Sequence, residues 1–336
     1  MKRLYYFLLD KEYFGFKKHF LDSAVSNLYL YHKMRWLFLF IAIGASAEDY
    51  FLYEFYKKNF FEINTFVTLR RRRIITELLN RKGHREWVED KKVFENKFQD
   101  LLHRAVWDID NGNYKDFERF VRSCKKVIAK PVNGYEGRGI YVLRGQDDLR
   151  KVYEKLRNGY VVEEYLEQEG ILHELNPGTC NTIRVNVLHL EGQDIIPAAY
   201  LRMGRDDNGV DNFRHGGIAA LVDVETGIIS TYGRDMKGHK YLVHPCSGKP
   251  FVGLQIPNWG GVIGTVHEAA KRLESVPFSS WDIAVVGEEV AVIEGNTYGN
   301  MGGQQCLDQI GKWEIYKNFT KNIIIKRMKI WGKRKY

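Results

Sequence analysis

Trp281-Asp282-Ile283-Ala284-Val285-Val286-Gly287-Glu288-Glu289-Val290-Ala291-Val292-Ile293-Glu294-Gly295-Asn296 reads as two apolar strands around a Gly-Glu-Glu turn. With Val286 set against Val290, antiparallel pairing brings Asp282 directly opposite Glu294, their β-carbons about 5 Å apart. Opposed like charges destabilise a sheet, so this register calls for a cation between them. Asn296, two residues beyond Glu294, points to the same face and adds a third oxygen. Hard oxygen donors without His or Cys select magnesium or manganese, ions that retain waters and bind nucleotide phosphates at their remaining positions. The plain alternative is a hairpin whose polar ends splay into solvent.

Upstream, Val127-Ile128-Ala129-Lys130-Pro131-Val132-Asn133-Gly134-Tyr135-Glu136-Gly137-Arg138-Gly139-Ile140 is a short apolar strand that delivers Lys130 and opens into a loop. Gly134, Gly137 and Gly139 let backbone N–H groups approach phosphate oxygens closely, and the lysine adds a mobile point charge. The glycine order fits neither a P-loop nor the dinucleotide fingerprint, and a tight turn would also need glycines. Ile140-Tyr141-Val142-Leu143 reads as the returning strand. Further on, Gly159-Tyr160-Val161-Val162-Glu163-Glu164-Tyr165-Leu166 is an apolar strand ending in acids. Its last four residues, Glu163, Glu164, Tyr165 and Leu166, suit adenine held by backbone groups and ribose held by a carboxylate.

In Asn181-Thr182-Ile183-Arg184-Val185-Asn186-Val187-Leu188, Arg184 and Asn186 share one face, opposite Ile183, Val185 and Val187. Arg184 there would offset charge on a transferring phosphoryl group or an acyl phosphate, and a surface ion pair is the alternative. Arg202, Arg205 and Arg214 surround Asp211-Asn212-Phe213-Arg214-His215-Gly216-Gly217. Gly216 and Gly217 permit close backbone approach, so this loop, with Asn212, reads as substrate territory. His215 is expected as a hydrogen-bonding partner in preference to a base for an attacking amine.

The rest of the chain bounds these readings. A 44% apolar composition with 7 prolines is that of a folded protein, and 336 residues leave room for two or three packed units. The formal charge of +9 attracts anions without naming which. Cys124, Cys180, Cys246 and Cys306 are too scattered for a zinc site or a disulfide scaffold. Charges at Lys2, Arg3, Asp10, Lys11, Glu12, Lys17 and Lys18 interrupt any signal-like apolar core, so a cytoplasmic protein is expected. Trp36 to Ala45 is about half the roughly 20 apolar residues that cross a bilayer, and reads as a buried helix in preference to a membrane-inserted one. Arg70 to Arg73 is either a solvated helix face or an anion-binding patch. The stretch after Glu314 has eight Lys or Arg and no acid, so it is either a basic amphipathic tail at the inner face of an anionic membrane or a closing helix.

Taken together, the Lys-Pro glycine loop, the Val-Val-Glu-Glu segment, Asn-Thr-Ile-Arg, the His-Gly-Gly loop and the Asp with Glu-Gly-Asn hairpin resemble the ATP-grasp superfamily. Over about residues 94 to 310 the likeness is to the sugar-transfer-associated ATP-grasp proteins of polysaccharide biosynthesis. Gly44-Ala45-Ser46 and Glu48-Asp49-Tyr50-Phe51 look like that group's N-terminal region. The resemblance implies an α+β, ATP-grasp fold, two lobes clamping ATP, behind a largely helical N-terminal domain. It divides the chain into a helical unit (1–93), a lobe with glycine loop and hinge (94–166), a lobe with metal site and substrate loop (167–312) and a basic tail (313–336). It makes Lys97 and Lys130 the phosphate-binding lysines, Arg184 the arginine near the γ-phosphate, and Asp282, Glu294 and Asn296 the ligands of magnesium or manganese. The chain departs from the pattern in lacking a proline just after Asn296. The implied reaction joins a carboxylate and an amine through an acyl phosphate. An acidic sugar, a uronic acid, and an amino acid are the expected partners, with no nucleic acid. A kinase, a soluble peptide ligase and a non-enzymatic basic binding module are the competing readings.

Overall fold

The computed structural model describes residues 15–21, 28–80, 87–88, 90–108, 112–132, 139–157, 159–190, 193–205, 213, 216–273, 276–297 and 301–333. Two antiparallel sheets carry the architecture. The smaller contains β1 (Val106–Asp108), β2 (Val127–Pro131), β3 (Tyr141–Leu143) and β4 (Tyr160–Glu164) in the order β1-β4-β2-β3. Its Val127, Ala129 and Val162 pack against Phe117, Val121, Leu149 and Leu156 of two covering helices, Tyr114–Ser123 and Leu149–Leu156. Because side chains alternate along a strand, the register then leaves Lys130 and Glu163 together on the opposite face.

The larger sheet contains β5 (Thr182–Leu190), β6 (Gln193–Met203), β7 (Ile218–Val222), β8 (Gly233–Arg234), β9 (Lys240–Tyr241), β10 (Phe278–Val286) and β11 (Glu289–Asn296). Their order is β11-β10-β5-β6-β7-β8-β9. On one face Ile183, Val185, Leu201, Trp281 and Ile283 share a core with Phe94 and Phe98 of the helix Lys91–Leu102 and with Val262 and Val266 of the helix Trp259–Lys271. The other face presents Arg184, Asn186, Ser280 and Asp282, which the β5–β10 register sets opposite one another.

The N-terminal helices, expected as a unit of their own, share their core with the larger sheet. Trp36, Tyr50, Tyr53, Phe55 and Phe66 cluster with Tyr200 and Ala219 of that sheet and with Cys306 and Leu307. Helix Leu69–Leu79 buries Ile75 and Leu79 beside Leu188 and Phe278 of the sheet and Tyr316 and Phe319 of the closing helix Trp313–Lys333. The closing helix is therefore anchored through Ile323, and the reading of the whole stretch after Glu314 as a surface tail holds at most for its end.

Local chemistry explains the N-terminal turns. Ser46 and Asp49 form a capping box, and Asp49 also accepts from Leu69 N at 2.8 Å and pairs with Arg72 at 3.1 Å. Gly44 ends the helix Tyr29–Ile43 at φ +68°, where a β-carbon would lie 2.2 Å from Arg70 Cβ. The arginine run is tied into the fold at Arg70, Arg71 and Arg72 and exposed at Arg70 and Arg73. Arg70 donates to the Phe40 and Ile41 carbonyls, Arg71 to the Asn64 and Phe66 carbonyls, and Arg72 to Asp49, so three of the four guanidiniums fasten this unit. Helix Tyr29–Ile43 is buried on one side only, through His32, Trp36, Leu39 and Ile43. Among the described residues no helix is long and apolar enough to cross a membrane.

Candidate nucleotide and metal site

The hairpin turns through two residues, Gly287 and Glu288, with Val286 paired to Glu289, and not through Gly-Glu-Glu with Val286 facing Val290. Gly287 takes φ +57°, as a tight hairpin turn requires. That register alone would set Asp282 against Ile293. A bulge between Asp282 and Ile283 takes up one residue, and Asp282 faces Glu294.

The positive charge between the two carboxylates belongs to Arg184, opposite Asp282 on β5. Its Nε and Nη2 donate to the two Asp282 oxygens, and Nη2 lies 3.4 Å from Glu294 Oε1. Arg202 Nη1 donates to Asp282 Oδ2 at 2.6 Å, which sets this arginine, expected at the substrate loop, on the Asp282 corner. Burial opposes the Asp282 charge, yet Arg184 and Arg202 hold its carboxyl well below the usual range. Desolvation in the cleft and the charge of Asp282 push Glu294 up, although its side chain keeps 52% of its surface accessible. Asn296 Nδ2 donates to Glu294 Oε1 at 3.2 Å and brings its own carbonyl oxygen to the group. The donor set of Asp282, Glu294 and Asn296 fits a small, hard divalent cation. Among the described residues no group of three or more His, Cys, Asp or Glu could hold a metal by itself, so such a cation would draw further ligands from phosphates and water.

Facing this corner, Lys130 Nζ donates to Glu163 Oε2 at 2.8 Å, and Arg104 Nε donates to the same oxygen at 2.7 Å. Burial works against the Glu163 charge, but Arg104 and Lys130 outweigh it and hold the carboxyl at about 2. Glu163, one of the two acids expected to supply a ribose-holding carboxylate, is thus turned inward as the anchor of the lysine. Arg104 also donates to Val292 O at 2.6 Å and Ile293 O at 3.3 Å, which ties the smaller sheet to the strand carrying Glu294. Lys91 Nζ donates to the Pro131 carbonyl. Burial and the nearby charge of Lys130 lower its pKa, against the pull of Glu294 and Glu163. Glu95, one turn on, is pushed up to about 8 by burial and by Glu163. Lys97, the lysine expected here, lies instead over the Trp87 ring at 4.3 Å. The helical period carried the signal: Lys91 falls closer than Lys97 to the buried Phe94–Phe98 stripe. Arg104 had no comparable signal, since its partners come from three separate segments.

At the connection between the sheets, Glu164 Oε2 accepts from Ala105 N at 3.2 Å, and Lys126 Nζ lies 3.6 Å over the Tyr165 ring. Leu166 is half-buried. Gln168 then pins the chain to the larger sheet through Asn181 N and O and Val285 O. Asn186 accepts from Ser280 Oγ at 2.7 Å below the arginine corner. Gly139 closes the glycine loop at φ +75°, whereas Gly134 and Gly137 lie outside the described residues. Of the substrate loop, Asn212, Arg214 and His215 lie outside them too. Gly216, at φ +100°, and Gly217 lead into β7, and a β-carbon on Gly216 would meet Arg205 Nη2 at 3.8 Å.

Two antiparallel sheets that converge on a basic and carboxylate-lined cleft define an ATP-grasp fold. A comparison with solved structures gives the same class. Biotin carboxylase from Campylobacter jejuni, solved as a β,γ-ATP complex, superposes with a TM-score of 0.50 at 14% identity, over 79% of this chain and 53% of that one. L-amino acid ligase from Bacillus licheniformis gives 0.41 at 14%, over 66% and 43%. D-alanine–D-alanine ligase from Bacillus anthracis gives 0.43 at 13%, over 73% and 70%. The chain spans 43% to 63% of the length of the first three solved structures it resembles. No curated protein matches it by sequence. Residues 151–321, about half of the chain, match the profile of the sugar-transfer-associated ATP-grasp family, and the chain belongs to that family.

Proposed function

We propose that the protein is an ATP-dependent carboxylate–amine ligase that works with magnesium or manganese. The observation that carries this reading is the convergence, across one cleft, of Lys91 and Lys130 with Arg184, Arg202 and the Asp282–Glu294 pair. On this reading Lys130, oriented by Glu163 and Arg104, and Lys91 bind the β- and γ-phosphates, and the glycine loop covers them. Asp282, Glu294 and Asn296 would hold the cation, whose charge offsets that of the phosphates. A substrate carboxylate oxygen attacks the γ-phosphorus, ADP leaves, and an acyl phosphate forms. Arg184 can exchange part of its pairing with Glu294 for the charge that grows on the transferring oxygens. An amine then attacks the acyl carbon, loses a proton, and displaces phosphate. Positioning and charge neutralisation suffice, with no covalent step on the protein.

For the substrates we propose a uronic acid of a cell-surface glycan and an amino acid. The family's association with sugar transfer and the charge of +9 support an acidic sugar. The test is phosphate release from ATP with uronic acids and a panel of amino acids, each alone and together. Release only when both are present, with an amide product, is expected. A phosphorylated sugar formed without amine would replace the ligase reading with a kinase, and turnover only with peptide or amino-acid carboxylates would replace the uronic acid.

A further inference from the structure

We infer that the outer face of the helix Tyr29–Ile43, extended by Phe60 and Phe61, is a docking surface for an anionic membrane. A surface helix ordinarily buries its apolar stripe and turns polar residues to water. This one has apolar stripes on both sides. His32, Trp36, Leu39 and Ile43 face the core, whereas Leu30 is 70%, Met34 59%, Phe38 59% and Ile41 61% exposed. At 100° per residue these four fall within a narrow arc opposite the buried stripe. Every exposed residue of this helix is apolar or aromatic, and the helix contains no acid. Phe60 packs near Phe38 in a tilted pair with ring centroids 5.9 Å apart, and its neighbour Phe61 is 85% exposed. Side chains this exposed stand out from the surface and do not line a groove, which suits a deformable lipid interface better than a fixed partner.

Charge sets the kind of lipid. Residues 28–80 hold eight Lys or Arg against five Asp or Glu. Arg70 sits on the carbonyls of Phe40 and Ile41 at the end of the apolar face, and Arg35 reaches Tyr31 Oη at 3.2 Å on its flank. Arg73 is exposed, as is Lys57, which pairs with Glu54 at 2.8 Å. Glu62, beside Phe61, accepts from Asn59 N as part of a capping box. Apolar side chains bordered by cations are the pattern of a helix lying in the headgroup region of an anionic bilayer. At about 1.5 Å per residue the helix reaches only about 22 Å, so it lies on the bilayer and does not span it.

The surface does not depend on the ligase reading, and its test uses the full chain with vesicles of phosphatidylcholine, with and without phosphatidylglycerol. Co-flotation with the anionic vesicles alone, weakened by salt, is expected. Phe38→Ser and Phe61→Ser should each lower partitioning about tenfold or more, with an unchanged thermal midpoint because both side chains are exposed. Truncation after Ile325, which keeps the anchored part of the closing helix, should leave most of the binding. Three results would overturn the inference: partitioning unchanged by the two serines, binding lost only on truncation, or a lipid-independent dimer that the serines convert to monomer.

Discussion

Replacing Arg104 by methionine keeps an unbranched side chain of similar reach and removes one charge from the join between the sheets. The guanidinium is 2% exposed and Glu163 4% exposed at the side chain, so neither group has water to fall back on. The variant leaves Glu163 with Lys130 as its charged partner and withdraws donors from Val292 O and Ile293 O. Breaking a buried pair from one side costs about 3–5 kcal/mol, and the remaining lysine places the expected loss near the lower end. The pH dependence gives an independent handle. Burial opposes the Glu163 charge, but Arg104 and Lys130 lower its pKa from an ordinary 4.5 to about 2. A depressed carboxylate stabilises the fold at pH above 4.5, and that stabilisation is lost as pH falls from there through about 2. At about 1.4 kcal/mol per pH unit it amounts to roughly 3 kcal/mol. The gap between wild type and Arg104→Met should therefore be full at neutral pH and close as the acid limb is descended. Urea denaturation followed by tryptophan fluorescence at a series of pH values measures both. A loss below about 1 kcal/mol at neutral pH, or a gap that stays constant into the acid limb, would refute the assignment of Arg104 as the staple.

Two further substitutions test the cleft. Lys91→Met should weaken ATP binding about tenfold or more, whereas Lys97→Met, which removes an ammonium from the face of Trp87, should change it by less than about threefold. Isothermal titration of the folded variants decides, and equal losses would return Lys97 to the site. Glu294→Gln is expected to abolish metal-dependent turnover while raising the metal-free thermal midpoint by a few degrees at neutral pH. The sign follows from a pKa raised by desolvation and Asp282: the folded state gives up stability as pH rises above the ordinary carboxylate value, so the gain should vanish in acid. Calorimetry at two pH values checks it, and a lower midpoint in the variant at neutral pH would contradict the like-charge account.

The sequence alone determined what short-range periodicity and residue chemistry can carry. Alternation along β5 assigned Arg184 and Asn186 to one face, and the donor types in the hairpin confined its chemistry to hard cations. The motif order pointed to the ATP-grasp family. It also placed Asp282 opposite Glu294, although by a turn one residue too long, which the bulge before Ile283 offset. Strand register depends on one residue more or less at a turn, and nothing local in Gly-Glu-Glu distinguishes a two-residue turn from a three-residue one followed by a regular ladder. Tertiary structure decided the rest, because charges are paired by whatever the fold brings within about 3 Å. It set Arg202 on Asp282, and brought Lys91, in place of the expected Lys97, to the Pro131 carbonyl near Lys130. It bound Glu163 between Lys130 and an arginine that no motif marks. It also decided which of two apolar stripes on the Tyr29–Ile43 helix meets the core, a choice that hydropathy cannot make, since the covered stripe holds His32 and the exposed one, Leu30, Met34, Phe38 and Ile41, is the more apolar.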